Sequence, residues 1–271
     1  MAVATFDTRA ATLDPARATT IIDTFKAEWT KLRTLRSTWL TVGGAVLASV
    51  FLAGLVCAAQ VSQWDKMSPS ERADFDPTST ALIGVLFAAA ILGSLAVRAI
   101  TSEYATGMIR VTFSAIPGRR GVLMAKAAIL ATIAFPVALV TNLASFFLGR
   151  QILAGKHISM ALGQPGVVKA ILFGAMGVSL VTGIGLGLGG IIRRTAGATT
   201  ALMLAVVGSQ LFGIALPEGA RKYLPGNALQ AVTSVRHVAG LLPPGKAVGV
   251  LAVYAILAVS TASKLIARRD A

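Results

Sequence analysis

Carboxylates are the scarcest chemistry in this chain: 11 Asp and Glu stand against 25 Lys and Arg in 271 residues, and charged residues make up only 13%. Soluble domains carry roughly a quarter charged residues. With 55% apolar residues and a mean hydropathy of +0.75, the composition belongs in a bilayer. No acid falls well inside an apolar run. Asp65, Glu71, Asp74 and Asp76 lie between the first two runs, Glu103 closes the second, and Glu218 follows the fifth. Proton and ion pathways usually depend on intramembrane acids or histidines, so a self-powered carrier lacks its customary ligands.

Other absences narrow the class further. A single cysteine, Cys57, rules out a disulfide framework within one chain, and no CxxC or Cys/His spacing suggests a metal site. His157 and His237 lie far apart with no second histidine or carboxylate at ligand spacing. There is no GxxxxGK[ST] phosphate loop, and "GIGLGLGG" at 183–190 lies inside an apolar run, not between a strand and a helix. No nucleophile is visible beside a base, which leaves an enzyme reading little to stand on. The chain is therefore expected to bind no metal or cofactor of its own.

What is present is six apolar runs, near 39–60, 79–99, 127–149, 170–192, 195–217 and 247–267. Each is about the 20 residues needed to cross roughly 30 Å of hydrocarbon. The reading is an all-α integral membrane protein with six transmembrane helices. Only "RRT" separates the fourth and fifth runs, which demands a tight helical hairpin with Arg193 and Arg194 at its tip. The net charge of +14 would suit nucleic acid or anionic lipid, but the basic residues follow the loops. If both termini are cytoplasmic, 16 Lys and Arg lie inside and 9 outside, and the first outer loop, "VSQWDKMSPSERADFDP", is acidic. This bias predicts a multi-pass protein with N-in, C-in topology, with lipid and not nucleic acid as its environment. Because 38 mostly polar residues precede the first run and "LAGLVC" is a poor lipoprotein motif, no cleaved signal peptide is expected.

The flanking segments have their own patterns. Residues 1–18 alternate Ala, Thr, Asp and Arg and are expected to be a disordered cytoplasmic N-terminus. Across 19–38, Ile22, Phe25, Trp29, Leu32 and Trp39 form one helical stripe while Lys26, Lys31 and Arg33 mostly face elsewhere. That describes an interfacial amphipathic helix before the six-span domain at 39–271, and it overlaps with a plain positive-inside anchor. The outer segment at 218–245 is semi-apolar and suits either re-entrant short helices broken at Pro225 and Gly226 or an exposed amphipathic loop. Gly183 with Gly187, and Gly185 with Gly189, form two GxxxG registers suited to close helix packing on more than one side. Pro136, Asn142 and Gln210 are the in-span residues that could kink a helix or line a substrate path.

Between the second and third runs lies "TSEYATGMIRVTFSAIPGRR", residues 101–120. On a helix, Glu103, Gly107 and Arg110 share one face and Ile109 and Phe113 another. Glu103 at the hydrocarbon centre would cost about 2.5–3.5 kcal/mol. It is therefore placed at the cytoplasmic boundary, neutralised by Arg110, Arg119 or Arg120, with Pro117 and Gly118 ending the element. An ordinary positive-inside loop explains the arginines. It does not explain Ile109 and Phe113, which suggest an apolar docking surface for another protein.

The run "EYATGMIRVTFSAIPGRRGVLMAK" resembles the segment between the second and third helices of ABC transporter permeases of the bacterial type-2 exporter class. Glu103, Gly107, Arg110, Pro117, Arg120 and Lys126 carry the match, and Met108 departs where Thr is common. "EWTKLRTLRSTW", "GGIIRRTAGATTALML" and "KYLPGNALQAV" extend the resemblance over most of the chain. It implies a plasma-membrane permease subunit that binds no ATP itself. ATP and Mg would be held by separate cytoplasmic ATPase subunits, and a second permease chain, identical or related, would complete the path. Residues 101–120 would be the coupling helix, with Glu103, Gly107, Ile109, Arg110, Phe113, Pro117 and Arg120 at the ATPase. The arm with Phe25, Trp29, Lys31 and Arg33 would bear on the same partner. A nontransporting scaffold or sensor that holds a cytoplasmic partner, and an ion-coupled carrier, are the competing readings.

Overall fold

The computed structural model describes residues 29–30, 36–109, 119–236, 238 and 240–269. Among them every regular element is helical. Backbone N–H and C=O groups have no water to turn to in hydrocarbon, and a helix satisfies them within one segment. The in-span hydroxyls obey the same constraint. Thr101, Thr141 and Thr182 each donate to the carbonyl four residues earlier, at 3.0, 2.7 and 2.8 Å.

Five helices are long and apolar enough to cross a membrane. They are α1 (Arg36–Gln63), α4 (Val85–Ala105), α5 (Arg119–Ala154), α6 (Val167–Ile192) and α11 (Pro244–Arg269). Between α1 and α4 lie two short helices, α2 (Pro69–Asp74) and α3 (Pro77–Ala81). A capping box starts α2: the Ser68 hydroxyl accepts from Glu71 N while Glu71 accepts from Ser68 N. That backbone bond, with the Ser68 hydroxyl, holds the Glu71 carboxyl below its ordinary range.

The fifth apolar run differs from the continuous span at 195–217 that its sequence suggests. It winds as α7 (Thr195–Met203), a π-helical turn at Leu204–Gly208, α8 (Ser209–Phe212) and a 3-10 turn at Gly213–Ala215. Its apolar helix, Thr195–Leu211, is shorter than the other five. The cause is a neighbour. After α9 (Glu218–Arg221), α10 (Pro225–Ala231) starts with Pro225 in its first turn, where the missing N–H costs nothing. Gly226 then presses on the π turn: a Cβ there would lie 2.0 Å from the Val206 carbonyl oxygen. Ser209 Oγ accepts from Gly226 N at 3.0 Å and donates to Val206 O at 3.1 Å. The widened turn and its hydroxyl bridge dock α10, a typical use of a π-bulge. Pro225 and Gly226 thus begin and seat a helix. Ala228, Leu229, Ala231 and Val232 are fully buried in the main core.

At the centre stands α6, packed on α4, α5 and α11. A Cβ on Gly185 would sit 2.3 Å from Gly93 O of α4, and one on Gly189 would sit 2.6 Å from Ile100 Cγ2. On another face, a Cβ on Gly187 would lie 2.5 Å from the Ala258 backbone of α11. Gly183 is different, with only Ala255 Cβ at 3.6 Å. Asn142 of α5 is buried and donates from Nδ2 to Ile171 O of α6 at 3.1 Å.

Gly185→Ala and Gly187→Ala should each destabilise the chain by about 1–3 kcal/mol, the usual cost of overpacking. Gly183→Ala should be near neutral. Thermal denaturation of the three purified variants in one detergent checks the order.

Candidate functional site

The last turn of α4, the first turns of α5 and the hairpin between α6 and α7 meet at one end of the bundle. Glu103 and Lys126 are joined there, Nζ to Oε1 at 2.9 Å, with side chains only 3% and 4% exposed. The sequence reading assigned neutralisation of Glu103 to Arg110, Arg119 or Arg120. In the structure Lys126 pairs with it, because antiparallel α4 and α5 point both side chains into the same buried layer. Arg110 lies outside the described residues, as do the side chains of Arg119 and Arg120. Beneath the pair is an apolar floor that includes Ile100, Leu123, Leu130 and Ile266.

Such a pair is poor evidence for stability. Removing two charges from water costs several kcal/mol per ion, and an apolar pair of equal volume is often as stable or more so. Removing one partner is what costs most. The physical consequence of the pair is register: α4 and α5 cannot slide past one another without exposing an uncompensated charge.

The hairpin is tied to the same turn. Arg193 closes α6 in the left-handed region, φ 60°, an unfavourable conformation for a side-chain-bearing residue. Its guanidinium lies 4.7 Å from the centre of the Tyr104 ring, a cation–π contact that helps hold it there. Beside it, the Thr101 and Thr195 hydroxyls are 2.8 Å apart. Three elements are thereby clamped at one level, directly where the chain leaves α4 for residues 106–118.

That exit is abrupt. Thr106 N donates to Ser102 O, Gly107 N donates to Tyr104 O, and Gly107 takes φ 71°, a glycine stop that admits no side chain without strain. The single helix carrying Glu103, Gly107 and Arg110 on one face is therefore replaced by a helix end followed by a new turn at Met108 and Ile109. The apolar residue presented outward also differs: Ile109 is 7% exposed, whereas Met108 is 50% exposed. Phe113 and Pro117 lie outside the described residues, as do Phe25, Lys31 and Arg33. Trp29 is helical and partly exposed, and Arg120 belongs to α5. Gln210, in α8, is partly buried, and its Nε2 has no hydrogen-bond partner among the described residues.

The opposite end carries a clasp that sequence reading missed. Asp76, 8% exposed, caps α3 by accepting from Thr78 N and Ser79 N, both at 3.0 Å. Its other oxygen accepts from Val235 N at 2.7 Å and Arg236 N at 2.9 Å, across 159 residues of chain. Arg236 donates in return to Ala73 O. The only local signal was "DP" ahead of a short helix, which marks a cap but names no distant partner. Nearby, Lys156 pairs with Asp65, and this hydrogen bond holds the exposed Asp65 carboxyl below its ordinary range. Among the described residues no cluster of His, Cys, Asp and Glu could hold a metal ion.

Apolar helices of spanning length, a buried charge pair at one end and a carboxylate clasp at the other define a multi-pass helical membrane protein. A family model described as "ABC-2 family transporter protein" matches residues 24–213. The match covers more than two-thirds of the chain, from the arm through α1, α4, α5 and α6 to the end of α8. The chain belongs to the ABC-2 transporter family, which implies a transport permease. No curated protein matches it.

Lys126→Met should cost about 3–5 kcal/mol by removing the lysine paired with buried Glu103, while Glu103→Gln combined with Lys126→Met should recover most of that loss. A double-mutant cycle by thermal unfolding in detergent measures the coupling. At the other end, Asp76→Ala leaves four backbone N–H groups without their acceptor. It should destabilise by about 1–3 kcal/mol and raise the protease sensitivity of the 232–243 segment, read by limited proteolysis.

Proposed function

We propose that this chain is the membrane subunit of an ATP-driven exporter. It forms the substrate path and couples through residues 101–120 to separate cytoplasmic ATPase subunits, which hold ATP and Mg. The observation that carries the reading is the Glu103–Lys126 pair, clamped to the α6–α7 hairpin exactly where the 106–118 segment departs. A force applied to that segment has a rigid point of entry into four helices at once. Membership in the ABC-2 family supports the same assignment, and the chain shows no phosphate loop of its own.

In this reading the Glu103 end is cytoplasmic, as are both termini, and the Asp76 end faces out of a bacterial plasma membrane. The helical turns from Thr195 to Ala215 form the sixth crossing: 21 residues at 1.5 Å each reach about 31 Å. α10 is then a re-entrant helix, its backbone buried in protein as membrane depth requires. A second permease chain completes the path, and Gln210, beside the π turn, is a candidate path-lining residue, supported by its Nε2 having no hydrogen-bond partner among the described residues.

A tagged chain should co-purify with an ATPase subunit, and its transport-coupled ATP hydrolysis should fall at least tenfold, the worth of about 1.4 kcal/mol, in a Glu103→Lys, Phe113→Asp double variant. Unchanged association and hydrolysis would overturn the coupling role. Sidedness is read in a Cys57→Ala background: a cysteine at Arg194 should be blocked only by permeant thiol reagents in whole cells, and one at Lys66 also by impermeant reagents.

A further inference from the structure

A groove opens on the flank of α6 where α5 and α11 part. Its volume is about 490 Å³, within the roughly 300–1,000 Å³ of small-molecule sites. It is walled by Ala127 and Ala131 of α5, Gly183 of α6 and Ala255 of α11, with Met124 and Ile256 at its edges. Those two edge residues are 59% and 66% exposed. Gly183, the one member of the 183–189 glycine set that touches no neighbour closely, here leaves space instead of drawing two helices together.

The groove is apolar along its length and cationic at one end. Ser263 and Lys264 of α11 line that end, and Arg268, exposed, follows one turn later on the same face of α11. It is the end that holds Glu103 and Lys126. No Asp or Glu occurs anywhere in α5, α6 or α11, so no acid on the lining helices competes for Lys264 and Arg268. Among the described residues neither is in an ion pair, which leaves their charge to an anion from outside the chain. An apolar slot running along the helices and finishing in two such cations matches a molecule with a hydrocarbon chain and an anionic head, already present in the bilayer.

We propose that this groove binds one anionic glycerophospholipid. An acyl chain lies against Gly183 and Ala255, and the phosphate is held by Lys264 and Arg268. The site shares no residue with the 101–120 segment and gives the permease a preference for anionic lipid beside α11. A neutral lipid would fill the slot without using the cations, and a second copy of the chain would cover the slot without needing a head group.

The test uses the purified full chain in detergent, titrated with dioleoylphosphatidylglycerol and, in parallel, with dioleoylphosphatidylcholine, counting bound lipid by native mass spectrometry. One phosphatidylglycerol should be retained per chain at concentrations where phosphatidylcholine is not. Lys264→Gln and Arg268→Gln should each weaken it about fivefold, the worth of one basic residue beside an anionic surface. Lys264→Arg should preserve it. Gly183→Leu or Ala131→Leu should abolish it. Equal retention of the two lipids would overturn the proposal, as would unchanged phosphatidylglycerol binding in both glutamine variants. So would groove-filling variants that alter oligomeric state while the lipid count stays the same. The exposed Lys264 and Arg268 positions leave folding intact, and the readout needs neither ATP nor a partner subunit, so its outcome is independent of the permease test.

Discussion

Apolar side chains gain little by leaving lipid for another helix, so close approach of backbones must supply much of what holds a helical membrane protein together. In this chain that constraint converges on α6. Its glycines at 185 and 189 let α4 come within contact of its backbone, and Gly187 does the same for α11. Nothing larger fits. The remaining elements are arranged around this three-helix stack: α5 closes over it through Asn142, and α10 is inserted beside it, with Leu229 and Val232 meeting Gly177. Even the π turn at Leu204–Gly208 follows from it, because α10 can be seated only if the neighbouring helix widens to receive Gly226.

Buried charges in such an interior are expensive, and among the described residues they lie at the two ends. Glu103 and Lys126 are charged, buried and paired at one end. Asp76, with four backbone donors, is buried at the other. Each joins segments distant in sequence, and the Glu103–Lys126 pair makes little sense as a contribution to stability alone, since apolar packing would serve as well at lower desolvation cost. Their common effect is to make relative position discrete. The α4–α5 junction holds one register, and the 235–236 backbone holds one docking position beside α3. A transport cycle needs elements that hold one arrangement and then another, because packed interfaces switch between states rather than deform gradually.

Much of the candidate site was legible before the fold was known, though not its wiring. Glu103 stood out as an acid at the edge of an apolar run, and the spacing of the glycines was plain. The run of small residues at 183–190, however, does not say that Gly185 meets Gly93 while Gly183 meets almost nothing; that depends on the crossing of α6 with α4 and α11. Helical periodicity carried Glu103, Gly107 and Arg110 onto one face, but Gly107 takes a left-handed φ and ends the helix. Periodicity alone cannot distinguish a glycine inside a helix from one that stops it. Nor does periodicity say that Ile109 is buried and Met108 exposed, since both are set by neighbours from other elements.

Composition and the spacing of charges were enough to determine a helical bilayer protein, roughly where five of its long helices lie, and which loops are basic. These follow from local free energies: the cost of placing a charge or an unsatisfied amide in hydrocarbon falls on each residue where it stands. Tertiary structure alone decided that Lys126 answers Glu103, that Asp76 reaches across the chain to residues 235–236, that the fifth run unwinds into a π turn, and that a groove ending in Lys264 opens beside Gly183. Each of these depends on the relative placement of helices tens of residues apart. In a chain so rich in interchangeable apolar residues, that placement is set by a few close backbone contacts whose partners no local pattern names.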